Sequence, residues 1–134
     1  MAPTTVSDEV DNQVTFMSWN STGFNTVKSK WLTDICNEKH VDFCSIQEHF
    51  KTSAKSDKFF RDNFKHMSRY VIPGHRPLGQ DSGRASGGLA QLSRKEIAIK
   101  KERVITKNYR IQAQILNLPS SRILWLNTYL PTDP

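Results

Sequence analysis

The sequence is poor in cysteine, has no long apolar run and begins without a leader-like segment. Two cysteines, Cys36 and Cys44, in 134 residues are too few for a disulfide framework. Both fall in apolar patterns, and free cysteine behaves there as a small hydrophobe, so both are expected to be reduced core residues. No stretch approaches the roughly 18 apolar residues of a membrane span, which excludes an integral helical membrane protein. Residues 1–13 carry acids (Asp8, Glu9, Asp11) but no basic or apolar block, which argues against a secretory or transit peptide. An intracellular site, nuclear or cytoplasmic, is the expectation. Residues 1–13 are expected to be a flexible segment and residues 14–134 a single, partial domain.

Acidic residues are the minority charge. Nineteen Lys and Arg face 13 Asp and Glu, for a net charge of +6. Such a surplus suggests an anionic partner, with nucleic acid first. Hydrophobic residues are 37% of the chain, too many for a disordered tail.

Val14 to Trp19 alternates and is rich in β-branched and aromatic residues, which predicts a strand. Asn25 or Thr26 can cap a helix from about Val27 to Lys39. Its apolar face would hold Val27, Trp31, Leu32, Ile35 and Cys36. Val41 to Gln47 predicts a second strand, and a crossover of this length suits a parallel pair. A short helix is expected within Lys51–Arg69, and a short strand at Tyr70–Ile72. Five of the six glycines fall in the loop from Pro73 to Gly88. Strands follow at 89–93 and 96–103, joined by a tight hairpin at Arg94-Lys95. More are expected at 109–118 and 123–130. The last is nearly continuous in apolar residues, as a strand buried on both faces would be. Seven strands and one or two helices cannot cover two sheet faces, so the chain reads as half of a larger two-sheet domain.

Three polar residues end apolar strands: Asn20, Glu48 and Tyr129. Ligand sites of α/β sheets lie beyond the carboxyl ends of strands. Asn20 and Glu48 are one strand–helix–strand step apart, so a parallel pair sets them side by side. A carboxylate there can hold Mg²⁺, which takes one or two carboxylates with water and phosphate. A carboxamide can orient a phosphate, and a tyrosine hydroxyl can donate to one.

These residues sit in four ordered segments: Phe16–Gly23, Val41–Glu48, Gly87–Ala90 and Leu126–Pro131. Together they resemble the N-terminal half of the endonuclease/exonuclease/phosphatase family. The likeness is to apurinic/apyrimidinic endonucleases and LINE-type retrotransposon endonuclease domains in particular. It implies half of a four-layer α/β/β/α two-sheet sandwich that hydrolyses phosphodiester bonds with Mg²⁺ or Mn²⁺, with DNA as partner. By the same resemblance Glu48 is the metal-binding glutamate, Asn20 an active-site asparagine and Tyr129 a contact to the scissile phosphate. Thr22 stands where many apurinic endonucleases have an aspartate, so that carboxylate is missing from the site the resemblance implies.

The family's Gly-Asp-x-Asn motif, further aspartate and Ser-Asp-His motif are not found. The isolated chain is therefore expected to be inactive or nearly so. Arg84 and, more weakly, Arg76 are candidate DNA contacts in the glycine-rich loop. Lys51, Lys55 and Lys58 would share one helix face and steer DNA in a salt-dependent way. Trp19, Trp31 and Trp125 read as core. The rivals are a phosphoinositide or sphingomyelin phosphodiesterase on the same fold, a non-catalytic nucleic-acid-binding remnant, and a decayed fragment with no function.

Overall fold

The computed structural model describes residues 13–76, 85–97 and 99–130. The expected flexible segment lies outside the described residues except for Gln13, and Arg84 lies outside them altogether. Nine elements follow one another: β1 (Phe16–Asn20), α1 (Thr26–Glu38), β2 (Phe43–Gln47), α2 (Ser53–Asn63), β3 (Met67–Ile72), β4 (Leu89–Arg94), β5 (Lys100–Val104), β6 (Ile111–Leu118) and β7 (Ser121–Thr128).

The strands form two sheets, β1-β2-β4-β3 and β5-β6-β7. β1 and β2 are parallel, as the spacing predicts, and every other pairing is antiparallel. α1 is capped by Asn25, whose side chain accepts from the Lys28 amide at 2.8 Å. That bond satisfies one of the amides a helix start leaves open.

β2 is central and buried along its whole length. Alternation splits its side chains between two environments. Cys44 and Ile46 join Ala90 and Leu92 of β4 under Leu32 and Cys36 of α1, Phe60 of α2 and Phe64 just past its end. Phe43 faces the second sheet and packs on Trp125 at 5.2 Å between ring centroids. Further along, the space between the sheets is filled by polar groups. Trp125 Nε1 donates to Ser45 Oγ at 2.8 Å, and Gln47 Nε2 donates to Asn127 Oδ1 at 2.7 Å. Asn127 Nδ2 donates to the Ile46 and Ala90 carbonyls and to Gln112 Oε1, each at 3.0 Å. Gln114 Nε2 donates to Gln91 Oε1 at 3.0 Å, and Gln91 Nε2 to the Trp125 carbonyl at 3.0 Å. Satisfied in this way, buried amides avoid the desolvation cost of an unmade bond and fix the register between the sheets.

Four expectations need correction. Arg94-Lys95 is not a hairpin, because β4 and β5 belong to different sheets and the chain crosses between them there. The 123–130 run is not buried on both faces. Trp125 and Asn127 point inward, while Leu124 and Leu126 are more than half exposed. On α1, Leu32 and Cys36 are buried, but Val27, Trp31 and Ile35 are exposed, so Trp31 is not core. Lys51 precedes α2 and does not share its face with Lys55 and Lys58. Cys36 and Cys44 are buried free thiols, as expected. Both helices cover the first sheet, and among the described residues none covers the outer face of the second. No helix of the described residues is long and apolar enough to cross a membrane.

Candidate active site

The parallel pair ends with Asn20 opposite Gln47, and the Ser21 amide extends the ladder to the Gln47 carbonyl at 2.9 Å. Asn20 and Glu48 therefore lie at the carboxyl ends of adjacent strands. Past Asn20 the chain turns through two left-handed residues, Thr22 (φ 47°) and Gly23 (φ 90°). Asn20 Oδ1 accepts from the Thr22 amide at 3.1 Å and its hydroxyl at 3.3 Å, which leaves the carboxamide N–H groups for a ligand. Lys28 Nζ clamps the turn by donating to the Ser21 and Gly23 carbonyls at 2.7 and 2.8 Å.

Glu48 itself is left-handed (φ 58°), as is Phe50 (φ 62°). Non-glycine residues hold that conformation only where their surroundings over-determine it. Here the Glu48 amide donates to the Gly88 carbonyl at 2.8 Å, and its carbonyl accepts from the Gly23 amide at 2.7 Å and Ser21 Oγ at 3.1 Å. The Phe50 amide donates to Gly87 at 2.9 Å. The backbone of Glu48 is thus fixed on both sides. Its carboxylate has no hydrogen-bond or ion-pair partner among the described residues. One such carboxylate beside a carboxamide fits the one- or two-carboxylate habit of Mg²⁺. Among the described residues there is no group of three His, Cys, Asp or Glu that would complete a metal cage.

His49, between the two strained residues, is fully buried. Its Nδ1 accepts from the Lys51 amide at 2.9 Å, so Nε2 carries the proton and donates to the Ile72 carbonyl at 2.9 Å. The ring stacks edge-on against Phe60 at 5.1 Å. Burial lowers its pKa to about 4, so the imidazole is neutral at physiological pH. With both nitrogens engaged, His49 braces the strand end and has no free nitrogen for a substrate.

Tyr129 follows β7 and brings its hydroxyl end against Gly87. Gly87 (φ 70°) and Gly88 (φ 97°) are left-handed, and a Cβ on Gly87 would strike the Tyr129 hydroxyl. Tyr129 therefore stands beside the segment that pins Glu48. Burial raises the phenol's pKa first, Arg110 pulls it back, and the nearby Tyr109 and Glu48 push it up again. The phenol stays protonated and able to donate.

Sequence reasoning missed Arg110. Its guanidinium lies 5.3 Å from the Tyr109 ring and 5.9 Å from the Tyr129 ring, and its buried Nε has no hydrogen-bond partner. The same guanidinium acts to lower the Tyr129 pKa, so a cation stands beside that hydroxyl. The only sequence signal was an arginine just ahead of an alternating strand. His75, whose ring meets Tyr109 at 4.4 Å, closes this rim.

The basic residues are spread more widely. Lys51 Nζ lies 4.5 Å over the Phe59 ring, and burial followed by the charge of Lys55 lowers its pKa. Lys55 is exposed in the first turn of α2. Arg76 is half-buried next to His75, which bridges Ser86. Lys51 joins this rim through its carbonyl, which accepts from the Gly74 amide at 2.7 Å.

No protein-family model matches the chain, and no curated protein does. Solved structures do. The AP endonuclease LMAP from Leishmania major superposes with a TM-score of 0.64 at 17% identity, over 88% of this chain and 40% of that one. TDP2 from Caenorhabditis elegans superposes with a TM-score of 0.57 at 19% identity, over 90% of this chain and 36% of that one. The chain has the endonuclease/exonuclease/phosphatase fold of these proteins. It spans about two fifths of the length of the solved structures it matches.

Proposed function

We propose that the chain is the N-terminal part of an endonuclease/exonuclease/phosphatase-family enzyme that hydrolyses phosphodiester bonds in DNA with Mg²⁺ or Mn²⁺. The type closest to its motifs is apurinic/apyrimidinic or retrotransposon. The observation that carries this reading is Glu48, a carboxylate on a doubly pinned, left-handed backbone at the end of β2, without a partner among the described residues. Binding energy fixed in advance in this way suits a ligand that must be positioned closely.

In this reading Glu48 holds the metal, and the metal when bound offsets charge developing on phosphorus oxygens. The Asn20 amide and the protonated Tyr129 hydroxyl donate to the phosphate, and the Arg110 guanidinium sets a positive charge beside Tyr129. Lys51, Lys55, Arg76 and Arg84 draw in the strand electrostatically, with an affinity that falls as salt rises. No residue of this group is placed to activate water, since His49 is buried and engaged at both nitrogens. Proton transfer at the nucleophile is worth about 10²–10⁴ in rate, so the chain by itself cleaves slowly or not at all.

The test is to read the native transcript past the codon for Pro134. A frame that continues into Gly-Asp-x-Asn and Ser-Asp-His segments supports the reading. The longer product should then nick DNA with Mg²⁺, and Glu48→Gln should lower the rate by roughly two orders of magnitude or more. A Mg²⁺-dependent nuclease indifferent to Glu48→Gln would overturn it.

A further inference from the structure

A second polar cavity lies between the sheets, away from Glu48. It measures about 210 Å³ and is lined by Ser68, Gln91, Ser93, Lys101, Arg103 and Gln114, together with Arg69. Ser93 pairs with Phe43 at the start of β2, whereas Leu89 pairs with Gln47 beside Glu48. The two places are therefore about 13 Å apart along β4.

The register explains what is unusual about it. Lys101 pairs with Leu116 and Arg103 with Gln114. Paired residues share a face, and Leu116 and Gln114 are buried between the sheets. Lys101 is thus half-buried between the sheets of a sandwich, where an apolar side chain would ordinarily stand, while Arg103 stays exposed at the mouth of the cavity. Inward charges can guard an edge strand against pairing with other chains. That role does not require the facing strands to be polar, yet Ser68, Gln91 and Ser93 meet them.

Neither cation has a carboxylate partner among the described residues. Glu102, between them, pairs with Lys100 at 3.2 Å and Arg122 at 3.6 Å. Lys101 Nζ donates once, to Ser93 Oγ at 3.0 Å, and so keeps two of its three N–H donors. Arg103 donates from one nitrogen to the Arg69 carbonyl at 3.0 Å and lies 4.4 Å over the Tyr70 ring. The Arg69 guanidinium is turned to the Phe64 and Met67 carbonyls and braces the wall. Burial lowers the Lys101 pKa, as it does for a cation without an anion nearby. The Ser68 hydroxyl has no partner among the described residues. Gln114 is already held by Gln91, so its side chain is preorganised.

We propose that this cavity is an anion subsite that takes a phosphate group between Lys101, Arg103, Ser68 and Ser93. A tetrahedral oxyanion has several acceptors, and this wall offers two charged donors and two hydroxyls with no competing carboxylate. The phosphate comes either as a free ion or as a backbone phosphate of a bound nucleic acid strand.

Heteronuclear NMR of the full chain at constant ionic strength tests it, with inorganic phosphate as the probe. Phosphate should move the Ser68, Ser93 and Arg103 amides and the Gln114 side-chain amide saturably. Lys101→Met should weaken binding about tenfold or more while the spectrum stays folded. Ser68→Ala, a smaller change, should weaken it less. Glu48→Gln should leave it unchanged, so the result does not depend on the proposed metal site. A thymidine oligonucleotide that displaces phosphate identifies backbone phosphate as the ligand, and failure to displace identifies the free ion. Absence of a saturable shift at these residues overturns the proposal. So does binding that survives in folded Lys101→Met.

Discussion

The hydroxyl end of Tyr129 occupies the space that a side chain on Gly87 would need. The carbonyl of Gly87 in turn holds the Phe50 amide, two residues past Glu48. The last strand and the Glu48 turn are thus coupled through one residue that has no Cβ and stands at φ 70°. Gly87→Ala should destabilise the fold by about 1–3 kcal/mol, from left-handed strain and from displacement of Tyr129. Tyr129→Ala in that background should recover the steric part. Urea unfolding of the two single variants and the double variant measures the coupling, and additive losses would contradict it.

His49 makes the fold sensitive to acid. Its pKa is 6.5 when unperturbed and about 4 in the folded chain, chiefly through burial. Between those values the unfolded state binds more protons, so folding stability falls as pH drops from 6.5 toward 4. The full loss from this group is about 3 kcal/mol. His49→Gln should lower stability at neutral pH and flatten this part of the profile. An equally steep profile in the variant would assign the acid sensitivity elsewhere.

The amide network between the sheets predicts unequal costs. Ser45→Ala removes the acceptor of a buried indole N–H and should cost about 1–3 kcal/mol. Asn127→Ala strips partners from Gln47 and Gln112 and leaves two buried carbonyls short of a donor. It should cost more, about 3 kcal/mol or above. Denaturant midpoints at constant slope check the order.

Much of this was readable from residues. The β1–α1–β2 unit, the strand ends at Asn20 and Glu48, and the glycine-rich approach to β4 follow from period, capping and turn chemistry. The inside of the sandwich did not. Ile111, Gln112, Ala113 and Gln114 alternate, but alternation does not say which set faces inward. Hydrophobicity favours the isoleucine, whereas the structure buries the glutamines because Asn127, Gln91 and the Tyr70 carbonyl satisfy them. Partners distant in sequence carry no local signal. The same holds for β7, where Leu124 and Leu126 are as apolar as buried residues and yet exposed. Arg110 was missed for a related reason, since an unpaired buried Nε becomes visible only once Tyr109 and Tyr129 surround it.

The central claim is that Glu48 is a metal ligand on a prebuilt turn, and paramagnetic Mn²⁺ tests it without requiring turnover. Substoichiometric Mn²⁺ added to the isotopically labelled chain should broaden the amides of Asn20, Glu48, Gly88 and Tyr129 first. Excess Mg²⁺ should reverse the effect, and Glu48→Gln should abolish it while the rest of the spectrum is preserved. Broadening centred elsewhere, or unchanged in Glu48→Gln, would contradict the account.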